Sequence, residues 1–246
     1  MKRDFSFVYA YYDNAKMFKD IQQTKYWQTY PKHIRNRLEI IVVDDCSPNH
    51  MAADNLIEDR NFELKVFRVE KDIPWNQDCA RNIGVHESTG DWLFLSDMDF
   101  AWGEDVVGMM MAMVDAGAID KHKYYTFERL DVFNNAPYKP HPNTYFMHRS
   151  LFEKTGGYDE IFAGYYGSDG PYRKRLNYYS NGEVHLTLNQ LYYRPCEELP
   201  DCCTRSLKRK DGRDLQKGKR LRQEAWRKLV AGEPPLTLNT PYRRVV

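Results

Sequence analysis

Two carboxylates one residue apart, Asp97 and Asp99, close the stretch Gly90-Asp-Trp-Leu-Phe-Leu-Ser-Asp97-Met98-Asp99-Phe100. Trp92 to Leu95 is an apolar run bounded by Gly90 and by acids, which reads as a short buried strand with an abrupt exit into solvent. Carboxylates at such an exit can hold a hard divalent cation, because such ions prefer oxygen ligands, and a cation held there can bridge a diphosphate. The plainer reading is two acids at the mouth of a loop. A second acid pair, Asp44-Asp45, follows another apolar run, Leu38-Glu-Ile-Ile-Val-Val43. Two separate strands ending in acids are a more specific signal than either pair alone.

The elements that must position these acids follow from periodicity. Phe5 to Tyr12 is aromatic and β-rich, and Asp13-Asn14 breaks it and can cap a helix running to about Gln28. Strands are expected at 38–43 and, by alternation, at 63–69, with a short helix near 51–59 between them. Gln77 to Glu87 has helical spacing and leads into the strand before Asp97. Strands alternating with helices argue for an α/β, doubly wound, mostly parallel sheet with helices on both faces. In such sheets ligands sit beyond the carboxyl ends of the strands. The second half is less regular. A Met-rich helix is expected at 105–116, strands at 123–132, 144–148, 184–188 and 191–194, and a helix opened by Pro171 that continues to Tyr179. A basic helix or arm is expected at 205–230, then an extended tail.

The chain has 246 residues, 42% hydrophobic and 29% charged, which fits a globular domain with a real core and excludes a disordered chain. No apolar run approaches the ~18 residues of a membrane span. The N-terminus lacks a signal-peptide core, so a cytoplasmic location is expected. Five cysteines without zinc spacing suit reduced thiols. The net charge of +1 is unevenly placed: between Cys203 and Lys228 there are eleven Lys/Arg against three acids. That concentration suggests an anionic partner, the plainer reading being a solvated surface helix. Such an arm is expected to face solvent or ligand and to be dispensable for folding.

Four blocks, in order, resemble the nucleotide-sugar glycosyltransferases of GT-A type, family 2 above all. They are Val42-Val-Asp44-Asp45-Cys-Ser47, then Ala80-Arg81-Asn82-Ile-Gly84, then Leu93-Phe-Leu-Ser-Asp97-Met-Asp99. The fourth is Gly156-Gly-Tyr-Asp159-Glu with Gly164-Tyr-Tyr-Gly-Ser168-Asp169 and Arg175-Leu176. Ser168 stands where the family usually has Glu, and Tyr165 where it usually has Trp. The resemblance covers roughly residues 5 to 195 and implies a GT-A (Rossmann-like) domain over 1–200. The donor would sit on the first hundred residues and the acceptor on the second, with residues 201–246 a basic C-terminal extension.

The resemblance also implies roles. Asp97 and Asp99 would hold a divalent metal, Mn2+ or Mg2+, with Asp97 on the metal or the ribose and His185 as a further ligand, His148 being the other candidate. Asp44 or Asp45 would bind the base or ribose, the competing reading being a cap on the following turn. Tyr12 would stack on the base with Ala10 giving room. Arg81 would reach the diphosphate as a fork donor or pair with Asp45 or Asp97. Asp169 would be the general base, or the N-cap of the helix opened by Pro171, and single displacement would invert the anomeric centre. The implied reaction moves a sugar from a nucleoside-diphosphate sugar, UDP-linked, to an acceptor hydroxyl. The 203–228 arm lies outside the resemblance and could hold an anionic glycan, a membrane surface or nucleic acid. The acceptor is therefore expected to be a glycan or a modified base in DNA, polyanionic and held by that arm. A nucleotidyltransferase would carry a Gly-rich basic loop after its first strand, where Tyr11-Tyr12-Asp13-Asn14 stands instead. A non-catalytic sugar- or nucleic-acid-binding module would have no need of acids in every block.

Overall fold

In the computed structural model, which describes residues 3–138, 143–200 and 215–246, the apolar runs of the first hundred residues become four parallel strands. These are β1 (Phe5–Tyr11), β2 (Leu38–Asp44), β3 (Glu63–Val69) and β4 (Trp92–Asp97), in spatial order β3-β2-β1-β4. Alternation sorts their side chains onto two faces. Phe5, Phe7, Tyr9 and Tyr11 of β1, with Leu38, Ile40 and Val42 of β2, join one apolar cluster, while Val8, Ile41 and Val43 join the other. A sheet apolar on both faces must be covered on both. A helix wound in π form over Met17–Trp27, the short α1 (Lys32–Arg35) and α3 (Glu104–Asp115) cover the first face. Helices α2 (Gln77–Glu87), α4 (Arg149–Thr155) and α5 (Asp169–Tyr179) cover the second. The methionines of α3, Met110 and Met111, are core filler.

Beyond β4 the sheet turns mixed. Strand β8 (Tyr145–His148) runs antiparallel to β4, and β6 (Tyr124–Asp131) antiparallel to β8. Strand β9 (Glu183–Tyr192) is parallel to β6, β5 (Phe100–Ala101) is antiparallel to β9, and β7 (Ala136–Tyr138) pairs with β6. The two strands expected at 184–188 and 191–194 are therefore one. Their apparent gap is a register irregularity, where Phe127 pairs with Leu186 but Glu128 pairs with Asn189. Asp13 also departs from expectation. Instead of capping a helix it accepts from the backbone N–H groups of Asn49 and His50 and from the Asn49 amide, tying the loop after β1 to the loop after β2.

The C-terminal residues 215–246 pack onto the body, while the expectation that the 203–228 arm is dispensable for folding falls partly outside the described residues. Helix α6 (Leu215–Val230) lies so close to the body at Gly218 that a Cβ there would overlap the Tyr165 side chain. Leu236 and Leu238 donate backbone N–H groups to the Asp159 and Glu160 carboxylates, each at 2.8 Å. The extended tail then becomes β10 (Tyr242–Arg244), antiparallel to β3 on the sheet edge. Apolar and hydrogen-bonded contacts hold this segment, with Lys228 lying 3.5 Å from the Asp159 carboxylate. The first part of the basic arm, including Lys208, Arg209 and Lys210, and the pair Cys202-Cys203 lie outside the described residues. Cys46, Cys79 and Cys196 are free thiols. Among the described residues no helix is long and apolar enough to cross a membrane.

Candidate active site

Parallel register sets the carboxyl ends of β1, β2 and β4 side by side. Ala10 is level with Val43 on one flank and Asp97 on the other, and Tyr11 is level with Asp44. The half-buried Tyr12 follows directly, and Asp45 donates its backbone N–H to the Tyr11 carbonyl at 2.9 Å. Ala10, Tyr12, Asp44, Asp45, Asp97 and Asp99 thus share one edge. Within it Asp44 is committed to structure. Its carboxylate accepts from the N–H of Ser47 at 2.7 Å and of Ala52 at 2.9 Å, and pairs with Arg68 at 3.0 Å. Burial still leaves its carboxyl above the usual range. Asp45 is buried at the turn where Cys46 adopts a left-handed φ of 58°.

Helix α2 explains its block residue by residue. Ala80 is fully buried in the second core. Arg81, also fully buried, grips Asp97 Oδ1, stands 3.6 Å from Asp78 and lies over the Tyr158 ring at 5.2 Å. Burial opposes its charge, but Asp97, Tyr158 and Asp78 outweigh burial and hold the guanidinium firmly protonated. Two of its nitrogens, Nε and one terminal nitrogen, are buried without a hydrogen bond. Asn82 uses its amide on both sides, accepting from the Tyr158 N–H at 2.9 Å and donating to the Tyr158 carbonyl and to Glu160. Gly84 meets Val8 of β1 so closely that no Cβ fits. The same helix therefore fixes the Asp97 strand end and the Gly156–Glu160 turn.

That double grip brings Asp169 to Asp97. Asp169 opens α5, half-buried, and accepts from the Asn143 amide at 2.5 Å. Burial and then the Asp97 charge push its carboxyl up, with Arg81 and Asn143 opposing. The preceding Ser168 donates its hydroxyl to Asp78 at 2.9 Å. Asp78 was not singled out from sequence, because an acid in the first turn of a helix is ordinary. Here it is 2% exposed, with its carboxyl pushed up to about 7, first by burial.

Arg129 was also missed. It sits at the end of β6 over the rings of Phe100 and Tyr138, at 4.9 and 5.0 Å, is 3% exposed, and burial lowers its pKa to about 10 while Asp99 and Asp97 support its charge. The two acids of the Asp97/Asp99 pair thus lie beside two buried arginines.

Neither histidine joins them. His185 is exposed, its Nδ1 3.1 Å from Thr126 Oγ1, and lies five residues before Gln190, which reaches Ser96 beside Asp97. Five residues of strand are ~17 Å. His148 is level with Trp92, at the opposite end of β4. Among the described residues no group of three His, Cys, Asp or Glu side chains could hold a metal. The donor set present, two carboxylates at a strand exit, fits a hard cation whose remaining ligands are phosphate and water oxygens.

The sequence description "Glycosyl transferase family 2" matches residues 27–169. No curated protein sequence matches the chain. Among solved structures, residues 1–349 of TarS from S. aureus share 15% identity over 94% of this chain and 71% of that one, at a TM-score of 0.61. The same protein in complex with UDP-GlcNAc gives 14% identity over 95% and 74%, with a TM-score of 0.60. The mannosyltransferase PcManGT from Pyrobaculum calidifontis, in complex with GDP-Man and Mn2+, gives 14% over 93% and 70%, with a TM-score of 0.55. At such identities the likeness is one of fold.

Proposed function

The chain belongs to glycosyl transferase family 2, and from that premise we propose that it transfers a sugar from a nucleoside-diphosphate sugar, UDP-linked, to a hydroxyl of a glycan acceptor with inversion. The observation that carries the reading is the convergence of Asp97, Arg81 and Asp169 at one strand edge. The fold neighbours that hold UDP-GlcNAc and GDP-Man support a nucleoside-diphosphate sugar as donor.

Tyr12 and Asp45 take the base and ribose beside Ala10. Arg81, fully buried, pairs with Asp97 rather than presenting a free fork to the diphosphate, and its fixed positive charge stands behind that acid as the leaving group departs. When bound, a divalent cation neutralises the leaving oxygens, and Asp97 and Asp99 are the residues that would hold it. Asp169 accepts the proton of the acceptor hydroxyl as that oxygen bonds to the anomeric carbon. The sugar–phosphate bond breaks in the same displacement, its electron pair leaving on the diphosphate. Nearby Arg81 and Asn143 keep the carboxylate oriented and support its anionic form. The acceptor is read as anionic, since α6, which packs beside the helix that Asp169 opens, carries exposed cations.

A screen of sugar nucleotides with Mn2+ or Mg2+, reading hydrolysis with no acceptor added, tests the proposal. Release of UDP from one UDP-sugar is the expected result. Inertness toward every nucleoside-diphosphate sugar, with no binding of UDP or GDP by calorimetry, overturns it.

A further inference from the structure

Helix α6 and the first turns of α5 line an open pocket. Pro171, Ala225 and Leu229 form its apolar floor, and Lys174, Arg222 and Trp226 stand around it. Trp226 is 51% exposed, and the Lys174 ammonium lies 5.5 Å from its ring centre. Two cations on the neighbouring turn of α6 are matched: Arg227 pairs with Glu224 and Glu233 at 2.8 Å, and Lys228 lies 3.5 Å from Asp159. Lys174 and Arg222 are exposed and have no carboxylate partner among the described residues. An apolar floor, a half-exposed indole and two unmatched cations suit a ligand with a flat apolar face and a negative charge.

The position of the pocket limits the ligand's length. Gly170, on its wall, directly follows Asp169. Lys174 is five residues beyond Asp169 on the same helix, which is about 140° around the axis and ~7.5 Å along it. The pocket therefore lies around the side of α5 from the reacting centre. A ligand that fills it and also presents a hydroxyl to Asp169 must be longer than one sugar.

We propose that this pocket is an acceptor subsite for a distal, anion-bearing sugar of an extended acidic glycan. The sugar face rests on Trp226, and its carboxylate, sulfate or phosphate lies between Lys174 and Arg222. The subsite rests on the glycosyl-transfer reading above and gives its acceptor a chemical class and a place. A flat anionic membrane would meet the convex flank of α6 rather than this hollow, so the glycan is the occupant the shape favours.

The test compares dextran sulfate, neutral dextran and inorganic polyphosphate as probes by tryptophan fluorescence and calorimetry at low salt. Three exposed-residue variants are used: Lys174→Gln/Arg222→Gln, Trp226→Ala, and the charge-matched control Lys32→Gln/Lys121→Gln. Dextran sulfate should bind the wild type and the control alike, and about tenfold more weakly in both pocket variants. Neutral dextran should not bind, and polyphosphate should be indifferent to Trp226→Ala. Equal loss in the control, or no loss in the pocket variants, overturns the subsite. Binding of phosphatidylserine vesicles that depends on Trp226, without binding of dextran sulfate, assigns the surface to a membrane and also overturns it. Calorimetry of UDP on the wild type separates the two failures. If UDP binds and the probes fail, only the subsite falls. If UDP does not bind, the donor reading falls and the acceptor subsite with it.

Discussion

At the scale of single residues the site is a set of charges held against burial. Burial, and after it the charge of Asp97, raise the Asp169 carboxyl above an ordinary aspartate, whose value is about 3.9. A base works only when unprotonated, so activity should fall as pH drops through that raised value, giving an acid limb above the ordinary range. Asp169→Asn should lower kcat by at least about 10²-fold while leaving donor affinity nearly intact, and equal loss of UDP binding would reduce Asp169 to a structural cap. Asp99→Asn should abolish turnover and weaken calorimetric binding of Mn2+ with UDP, and full activity in the variant would refute the ligand role.

Asp78 makes a separate prediction about stability. Its carboxyl is raised to about 7 in the fold and returns to about 3.9 on unfolding. Between those values the folded state holds the extra proton, so the stability it contributes is present at low pH and lost as pH rises to about 7. Asp78→Asn should flatten that decline by roughly 1–3 kcal/mol between pH 5 and 8, read by urea unfolding at both pH values. An unchanged pH dependence would contradict it. The strand-end acids were legible from the sequence because each closes an apolar run. Asp78 and Arg129 were not, since what distinguishes them is burial beside partners distant in the chain.

At the scale of elements, helices and strands with clean periodicity fell where the sequence puts them, and α2 spans the expected 77–87. Misplaced elements owe their form to distant partners. Strand β5 is two residues long and exists through pairing with β9, and β10 exists through the open edge of β3. The metal-ligand expectation for His185 failed by the same logic: strand register, invisible in the residue pattern, sends it to the far end of β9. Helix α6 was expected from its basic pattern, but its docking was hidden in one glycine. Gly218→Ala removes a helix-weakening glycine, worth ~1 kcal/mol, yet drives a methyl into the buried Tyr165. Overpacking of about 1–3 kcal/mol should win, lowering the melting temperature. In a Tyr165→Leu background the same change should become neutral or stabilising. Equal destabilisation in both backgrounds would place the cost elsewhere.

At the scale of the molecule, the C-terminal segment ties the edge of the parallel sheet to the Asp159–Glu160 turn. Residues 233–238 hold Arg175, Asp159 and Glu160. Glu160 reaches Asn82 on α2, beside the Arg81 that grips Asp97. The last residues close the β3 edge, where Val245 donates to the Val66 carbonyl at 2.8 Å and the Val66 N–H is accepted by Val246 at 3.2 Å. Strand β3 carries Leu64, Val66, Phe67 and Val69 in the core, so uncovering it would leave an apolar strand with unpaired N–H and C=O groups, a template for intermolecular pairing. Deleting residues 239–246 should therefore leave a protein that still binds UDP at first but aggregates on warming, with rising light scattering and a lower melting temperature. Deleting 231–246 should go further, because the Asp159 and Glu160 carboxylates would lose their backbone donors in a partly buried place. Cooperative unfolding should then fail at moderate temperature, and nucleotide binding with it. A 231–246 deletion that stays monomeric and melts like the full chain would show that the sheet edge and the Gly156–Glu160 turn hold without the tail.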